Sequence, residues 1–179
     1  MTFEQRIIKL IESDELRMRA LHAVNTLDLP DWLIAAGFVR NKIWDSLFAT
    51  DSGINDIDVI YFCKADCSQE RDIKLEEQLC ELEPDLPWSV KNQVRMHSRH
   101  GDEPYKNTLD AMRYWPEKQT SIGAKLDNKD RVVLRHCFDL GLQFSGHINR
   151  NPARSAEVFN NRVATKGWID TWPMLQAKI

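Results

Sequence analysis

The sequence predicts an α+β protein, a mixed β-sheet flanked by helices, on three observations. Two short apolar runs, residues 32–36 and 57–62, have strand length and are bounded by turn-forming residues. Several other segments place apolar residues at three- and four-residue steps, the spacing of a helix face. The two patterns alternate irregularly, which fits a mixed sheet better than regular βαβ units.

Taken in order, Ile7, Ile8 and Ile11, then Leu16, Ala20, Val24 and Leu27, mark a helical lead that ends at "DLP", since proline disfavours helix in the residue before it. "WLIAA" is a buried strand, Gly37 a turn, and Val39, Ile43 and Leu47 a helix face beside Trp44 and Phe48. "IDVIYF" is a second strand, entered through "TDSGIND". Ser68 can cap a helix over about 69–82, with Ile73, Leu75, Leu79 and Leu82 partly on one side. "PWSVKNQVRMH" is a third strand running to about 96, and "NTLDAMRYW" a short helix stopped by Pro116. "TSIGAKL" and "RVVLRHCF" flank "DNKD" as a hairpin. Residues 153–166 are helical, and "WIDTWPML" is an aromatic tail that packs down. One domain over 1–179 is expected: a helical lead (1–29), a core (30–97) and a C-terminal extension (98–179).

Composition narrows the functional classes. A 42% hydrophobic content supplies a core, and a net charge of −3 argues against bulk binding to nucleic acid or an anionic membrane. The N-terminus carries acids and no continuous apolar run, so it is not read as a signal peptide, and no segment approaches a membrane span. Cys63, Cys67, Cys80 and Cys137 have no metal-ligand spacing and read as reduced thiols, consistent with a cytoplasmic protein without membrane partners. His136 and His147 lack partners at ligand spacing and read as structural or surface residues. Trp44, Trp88, Trp115, Trp168 and Trp172 read mainly as core.

The stretch "NDIDVIYF" carries the chemistry. Asp56 and Asp58 lie on one face of the strand, roughly 6.6 Å apart along its axis. Two such carboxylates at the mouth of a core strand repel each other and lose hydration unless a cation sits between them; Mg²⁺, which takes one or two carboxylates plus phosphate oxygens, suits the pair. The plainer alternative is a turn residue and a local cap. Further on, "KNQVRMHSRH" sets Lys91, Arg95, Arg99 and two histidines among amides. Such an edge either meets phosphates and a base, or is a solvated edge strand guarded by charge.

These residues carry a resemblance. "LIAAGFVRNKIWDSLF…NDIDVIYF" resembles the core of the polymerase-β-like nucleotidyltransferase superfamily, in which a strand ends in a small-residue turn, a helix follows, and the next strand bears Asp-x-Asp. Ala36-Gly37 stands where paired small residues belong, and Val39-Arg40-Asn41 matches Val-Arg-Asp with an amide for the acid. Five ordered segments, adding "WSVKNQVRMH", "PYKNTLDAMRYWPE" and "VATKGWIDTWPML", are similar to a bacterial family of small nucleotidyltransferase-like proteins over residues 14–176. The resemblance implies a nucleotidyltransferase core and transfer of a nucleoside monophosphate from an NTP to a hydroxyl acceptor (small molecule, protein or RNA end). It implies Mg²⁺ or Mn²⁺ on Asp56 and Asp58. Gly37, Arg40, Asn41, Lys91, Asn92, Gln93 and Arg95 would contact the nucleotide.

Three departures set the remaining expectations. Ala36 replaces the first glycine, the 19 positions from Gly37 to Asp56 include an inserted loop, and the strand expected to carry a third carboxylate holds none. His97 is the candidate base in its place, Asn92 a candidate ligand, and Asp45 or Asp102 can fold into the site. Without such a group, the competing reading is a degenerate module that binds a nucleotide and regulates or holds a partner. If the resemblance holds, Asp56 and Asp58 face a cleft with Gly37, Arg40 and one of Asn92, Gln93 or Arg95.

Overall fold

The computed structural model describes residues 1–179. Its helical lead is two helices, α1 (Phe3–Glu12) and α2 (Glu15–Asn25). The break falls at Asp14, whose side chain accepts from the Arg17 N–H and caps α2. Strand β1 (Leu33–Ala35) leads through Ala36 into α3 (Gly37–Phe48), and β2 (Ile57–Tyr61) follows. Helix α4 (Gln69–Leu82), capped by Ser68, then delivers β3 (Trp88–Asn92) parallel to β2. The third strand is shorter than the sequence suggests. Asn92 ends it by accepting from the Val94 N–H, and residues 93–99 coil into a 3₁₀ helix.

The C-terminal half adds α5 (Thr108–Met112), the antiparallel hairpin β4 (Ile122–Leu126) and β5 (Val132–His136), β6 (His147–Asn149), α6 (Ala156–Thr165), α7 (Trp168–Thr171) and β7 (Gln176–Lys178). Five strands form a mixed sheet in the order β3-β2-β1-β4-β5, antiparallel except for β2 and β3. Strands β6 and β7 pair separately, which the aromatic tail did not announce.

Strand alternation divides the sheet into two faces with different duties. Ile57, Val59 and Tyr61 of β2, with Ile34 and Val90, join residues of α1, α2, α3 and α4 in the main core. At roughly 1.5–3 kcal/mol for each large aliphatic side chain removed from water, this face holds the fold together. On the other face Leu33, Ala35 and Ile60 meet Met112 in a small cluster, and Asp58 lies in register with Ser89, Ile60 with Lys91. The third cluster gathers Trp44 of α3 with Ile148, Phe159, Trp168, Trp172 and Leu175. Trp172 Nε1 donates to Asp45 Oδ1 at 2.9 Å, so the C-terminal segment is fastened to α3 across the end of the sheet.

Candidate functional site

The strand-to-helix turn determines where the site's first residues point. Ala36 adopts φ 56°, ψ −120°, a conformation that favours glycine, while Gly37 keeps an ordinary φ. The conformational demand thus falls one residue before the glycine. What Gly37 supplies is space. A Cβ there would stand 3.3 Å from Asn41 Nδ2 and 3.5 Å from Arg40 Nη2, both of which fold back over the first turn of α3. Strain of this kind costs about 1–3 kcal/mol, partly offset by the 0.5–1 kcal/mol that glycine's extra freedom costs. Ala36→Gly is therefore expected to stabilise the protein by about 1 kcal/mol, a rise of some 2–4 °C in melting temperature. A fall would show that the turn is not strained.

Beyond that turn lies a cleft of about 630 Å³ between the second face of the sheet and the C-terminal segment. It brings together Asp56, Asp58, Gly37, Arg40, Asn41, Lys91 and Gln93 from the sequence-derived set. Asp56 is exposed and Asp58 half-buried at the start of β2. Burial first, and the neighbouring Asp56 second, push the Asp58 carboxyl up to about 6, against the opposing pull of Lys166, Arg40 and Lys91.

Arg40 is the unusual cation. It is only 5% exposed, and its guanidinium carbon lies 4.8 Å from the Trp44 ring centroid and 4.6 Å from that of Trp168. Nη1 donates to Thr120 Oγ1 at 2.8 Å, and Nε and Nη2 to Asn41 Oδ1 at 3.1 and 2.8 Å. No carboxylate forms an ion pair with it. Burial pushes its pKa down to about 10, with Glu117 opposing, so it stays charged at neutral pH. Glu117 is fully buried, takes Arg162 at 2.5 Å, and accepts from Thr120 Oγ1 at 2.9 Å.

Asn92, Arg95 and His97 lie outside the cleft, each engaged elsewhere, whereas Arg99 and His100 of the same segment line it. Asn92 is wholly buried and bonds the Cys63 backbone and the Asp66 carbonyl, fastening the loop after β2. Arg95 pairs with Asp72 and donates to the Cys67 and Ser68 carbonyls. His97 Nδ1 lies 2.9 Å from the Val94 carbonyl, and its ring meets Tyr105 edge-on. The 3₁₀ turn at Gln93 is the reason: a continued strand would have kept Arg95 and His97 on the Lys91 face, and the coil rotates them away. Asp45 is occupied by Ser52 and Trp172, and Asp102 by Arg154 and Tyr105.

Asp56 and Asp58 are thus the only carboxylates lining the cleft. The other side is cationic and aromatic: Arg99, His100, Tyr105, Tyr114, Arg154, Arg162, Lys166, Trp168 and Trp172. The sequence placed Trp168 and Trp172 in the core, where they are, but not in a second role as a wall. Arg162 and Lys166 carried no local signal, because the side chains that give them meaning lie more than forty residues earlier. Their spacing of four along α6 could have suggested a shared face.

In comparison with known proteins, a nucleotidyltransferase family model matches residues 22–177. A solved NMR structure described as revealing a CCA-adding enzyme head domain is 31% identical, with a TM-score of 0.87 over 97% of this chain and 95% of that one. Two larger proteins share the fold. A tRNA-processing enzyme complex has a TM-score of 0.51 at 13% identity, over 89% of this chain and 43% of its own. A CCA-adding enzyme with CTP has a TM-score of 0.50 at 14% identity, over 84% and 38%. The chain therefore spans less than half the length of either. No curated protein sequence matches it.

Proposed function

The chain belongs to the nucleotidyltransferase family, and from that premise we propose that its cleft binds a nucleoside triphosphate and transfers the nucleoside monophosphate to a hydroxyl acceptor in the cytoplasm. Arg40 carries this reading. A buried guanidinium without a carboxylate partner is costly unless an anion completes it. Its place beside the N-terminus of α3 gives a phosphate both the cation and the positive end of a helix. Lys91 and Lys166 would take further phosphate oxygens.

The Asp pair fits a divalent cation. Two carboxylates on one strand end, the Asp58 carboxyl pushed upward by burial and then by the charge of Asp56, match the hard-oxygen preference of Mg²⁺ or Mn²⁺. Asp56 and Asp58 would hold it, and it would neutralise charge gathering on the transferring group. In the transfer, the acceptor oxygen attacks the α-phosphorus, the bond to the bridging oxygen breaks, and pyrophosphate leaves. The hydroxyl proton goes to a base, for which His100 is the imidazole that lines the cleft. Trp44 and Trp168 fix the Arg40 plane, and Trp168, Thr171 and Trp172 of the C-terminal segment form one wall of the cleft.

A second reading is favoured by one observation, the absence of any third carboxylate from the cleft: a module that holds the nucleotide without transferring it. Incubating the protein with Mg²⁺, α-labelled NTPs and cell extract separates the two. Label in a protein- and Mg²⁺-dependent product supports transfer. Thermal stabilisation by Mg²⁺ and NTP without label supports the holding module. Neither label nor stabilisation would overturn both.

A further inference from the structure

The neighbouring strand carries an inference beyond this reading, on which it rests. In the parallel register of β2 and β3, Ser89 stands directly beside Asp58 and Lys91 beside Ile60. Trp88 and Val90 point into the core, so Ser89 and Lys91 share the face that bears Asp58. Ala35 of β1 and Ser89 of β3 flank Asp58 on that face, and of the two only position 89, beside Lys91, carries a polar side chain, so a carboxylate there would stand next to Asp58. The chain has a hydroxyl there, and an ammonium one step along. Lys91 lines the cleft, donates to the Val90 carbonyl at 3.1 Å, and pairs with no acid.

We propose that the cleft takes a single divalent cation, brought in with the triphosphate, and that Ser89 marks the missing ligand for a second one, whose charge Lys91 supplies. Two-cation phosphoryl-transfer sites set their ions about 3.5–4 Å apart and need carboxylates to bridge and flank them. Nowhere does the molecule gather three His, Cys, Asp or Glu side chains about one point.

Charge agrees. Of the cleft's cations, Arg154 is neutralised by Asp102 and Arg162 by Glu117, leaving Arg40, Lys91, Arg99 and Lys166 against Asp56 and Asp58. One divalent cation and a fully ionised triphosphate bring that set to neutrality. A second cation leaves an excess of two positive charges beside Lys91. For the same reason a cation without nucleotide, facing four unpaired positive groups and two carboxylates, is held weakly.

The test counts bound Mn²⁺ by electron paramagnetic resonance on the intact chain, with and without a non-hydrolysable NTP analogue. The wild type is expected to bind one Mn²⁺ per chain with the analogue and at least tenfold more weakly without it. Ser89→Asp, or Ser89→Glu should the first variant melt at the assay temperature, is expected to bind two. Lys91→Met is expected to tighten binding of Mn²⁺ alone without raising the count. Two Mn²⁺ in the wild type, or a count that stays at one in a folded Ser89 carboxylate variant, would overturn the proposal. Absence of both Mn²⁺ and analogue binding in the wild type would instead overturn the nucleotide reading beneath it.

Discussion

Replacing Asp58 with asparagine is expected to abolish the thermal stabilisation given by Mg²⁺ and NTP while making the unliganded protein more stable. The first effect is large. A ligand at a hundredfold excess over its Kd adds about 2.7 kcal/mol to the state that binds it, and losing a cation ligand removes that increment. The second follows from the carboxyl's environment. Its pKa lies near 6 in the fold against an ordinary 3.8, through burial and the charge of Asp56, so the folded chain holds this proton more tightly than the unfolded one. Stability is fully retained below about pH 4 and declines as Asp58 ionises between about pH 4 and 6. The cost remains at neutral pH, about 1–2 kcal/mol once its partial exposure is allowed for. Asparagine keeps the shape without the charge. The variant should therefore melt higher than wild type above pH 6 and alike below pH 4, in a pH series of thermal melts without metal. A variant that melts lower at pH 7 and keeps its nucleotide response would assign Asp58 to the fold and remove it from the chemistry.

The core of the fold was legible because its signals are local. Strand β2 reads directly from an apolar run with Asp58 as its interruption, and α3 from Val39, Ile43 and Leu47 at four-residue steps. The hairpin β4–β5 reads from "DNKD" between two apolar runs, and Ser68 announces α4. The half of the site built from these elements was legible with them: Gly37, Arg40 and the Asp pair do share one cleft. The other half was not. Where β3 stops depends on Asn92 satisfying backbone groups of Cys63 and Asp66, some thirty positions earlier, which no propensity records. A strand drawn four residues too far turns Arg95 and His97 toward a cleft they do not reach. Nor does sequence spacing reveal that a tryptophan packed in the core can also press on a cleft arginine, as Trp168 does on Arg40. Contacts that define a residue's role across a hundred positions leave no periodicity to read.

Glu117 belongs to that hidden half, and replacing it should separate fold from chemistry in the direction opposite to Asp58. Its carboxylate is fully buried, held by Arg162 Nε at 2.5 Å and Nη2 at 3.2 Å, and accepts a hydrogen bond from the Thr120 hydroxyl. Thr120 in turn accepts from Arg40, so the acid is the far anchor of the buried cleft arginine. Removing one partner of a buried ion pair costs about 3–5 kcal/mol, because the other is left without compensation. Arg162 is partly exposed and can turn to water, which puts Glu117→Ala at the lower end, about 3 kcal/mol or some 10 °C in melting temperature. Glu117→Gln keeps the volume and the Thr120 hydrogen bond, so its loss should be smaller. The nucleotide response should survive in the glutamine variant and grow, because Arg162, no longer neutralised, adds a cation to the cleft wall. Melting both variants with and without Mg²⁺ and NTP checks this. An alanine variant within 2 °C of wild type would mean that the pair carries little of the fold. A glutamine variant that melts normally yet loses the nucleotide response would place Glu117 in the chemistry instead, as the third acid that the cleft otherwise lacks.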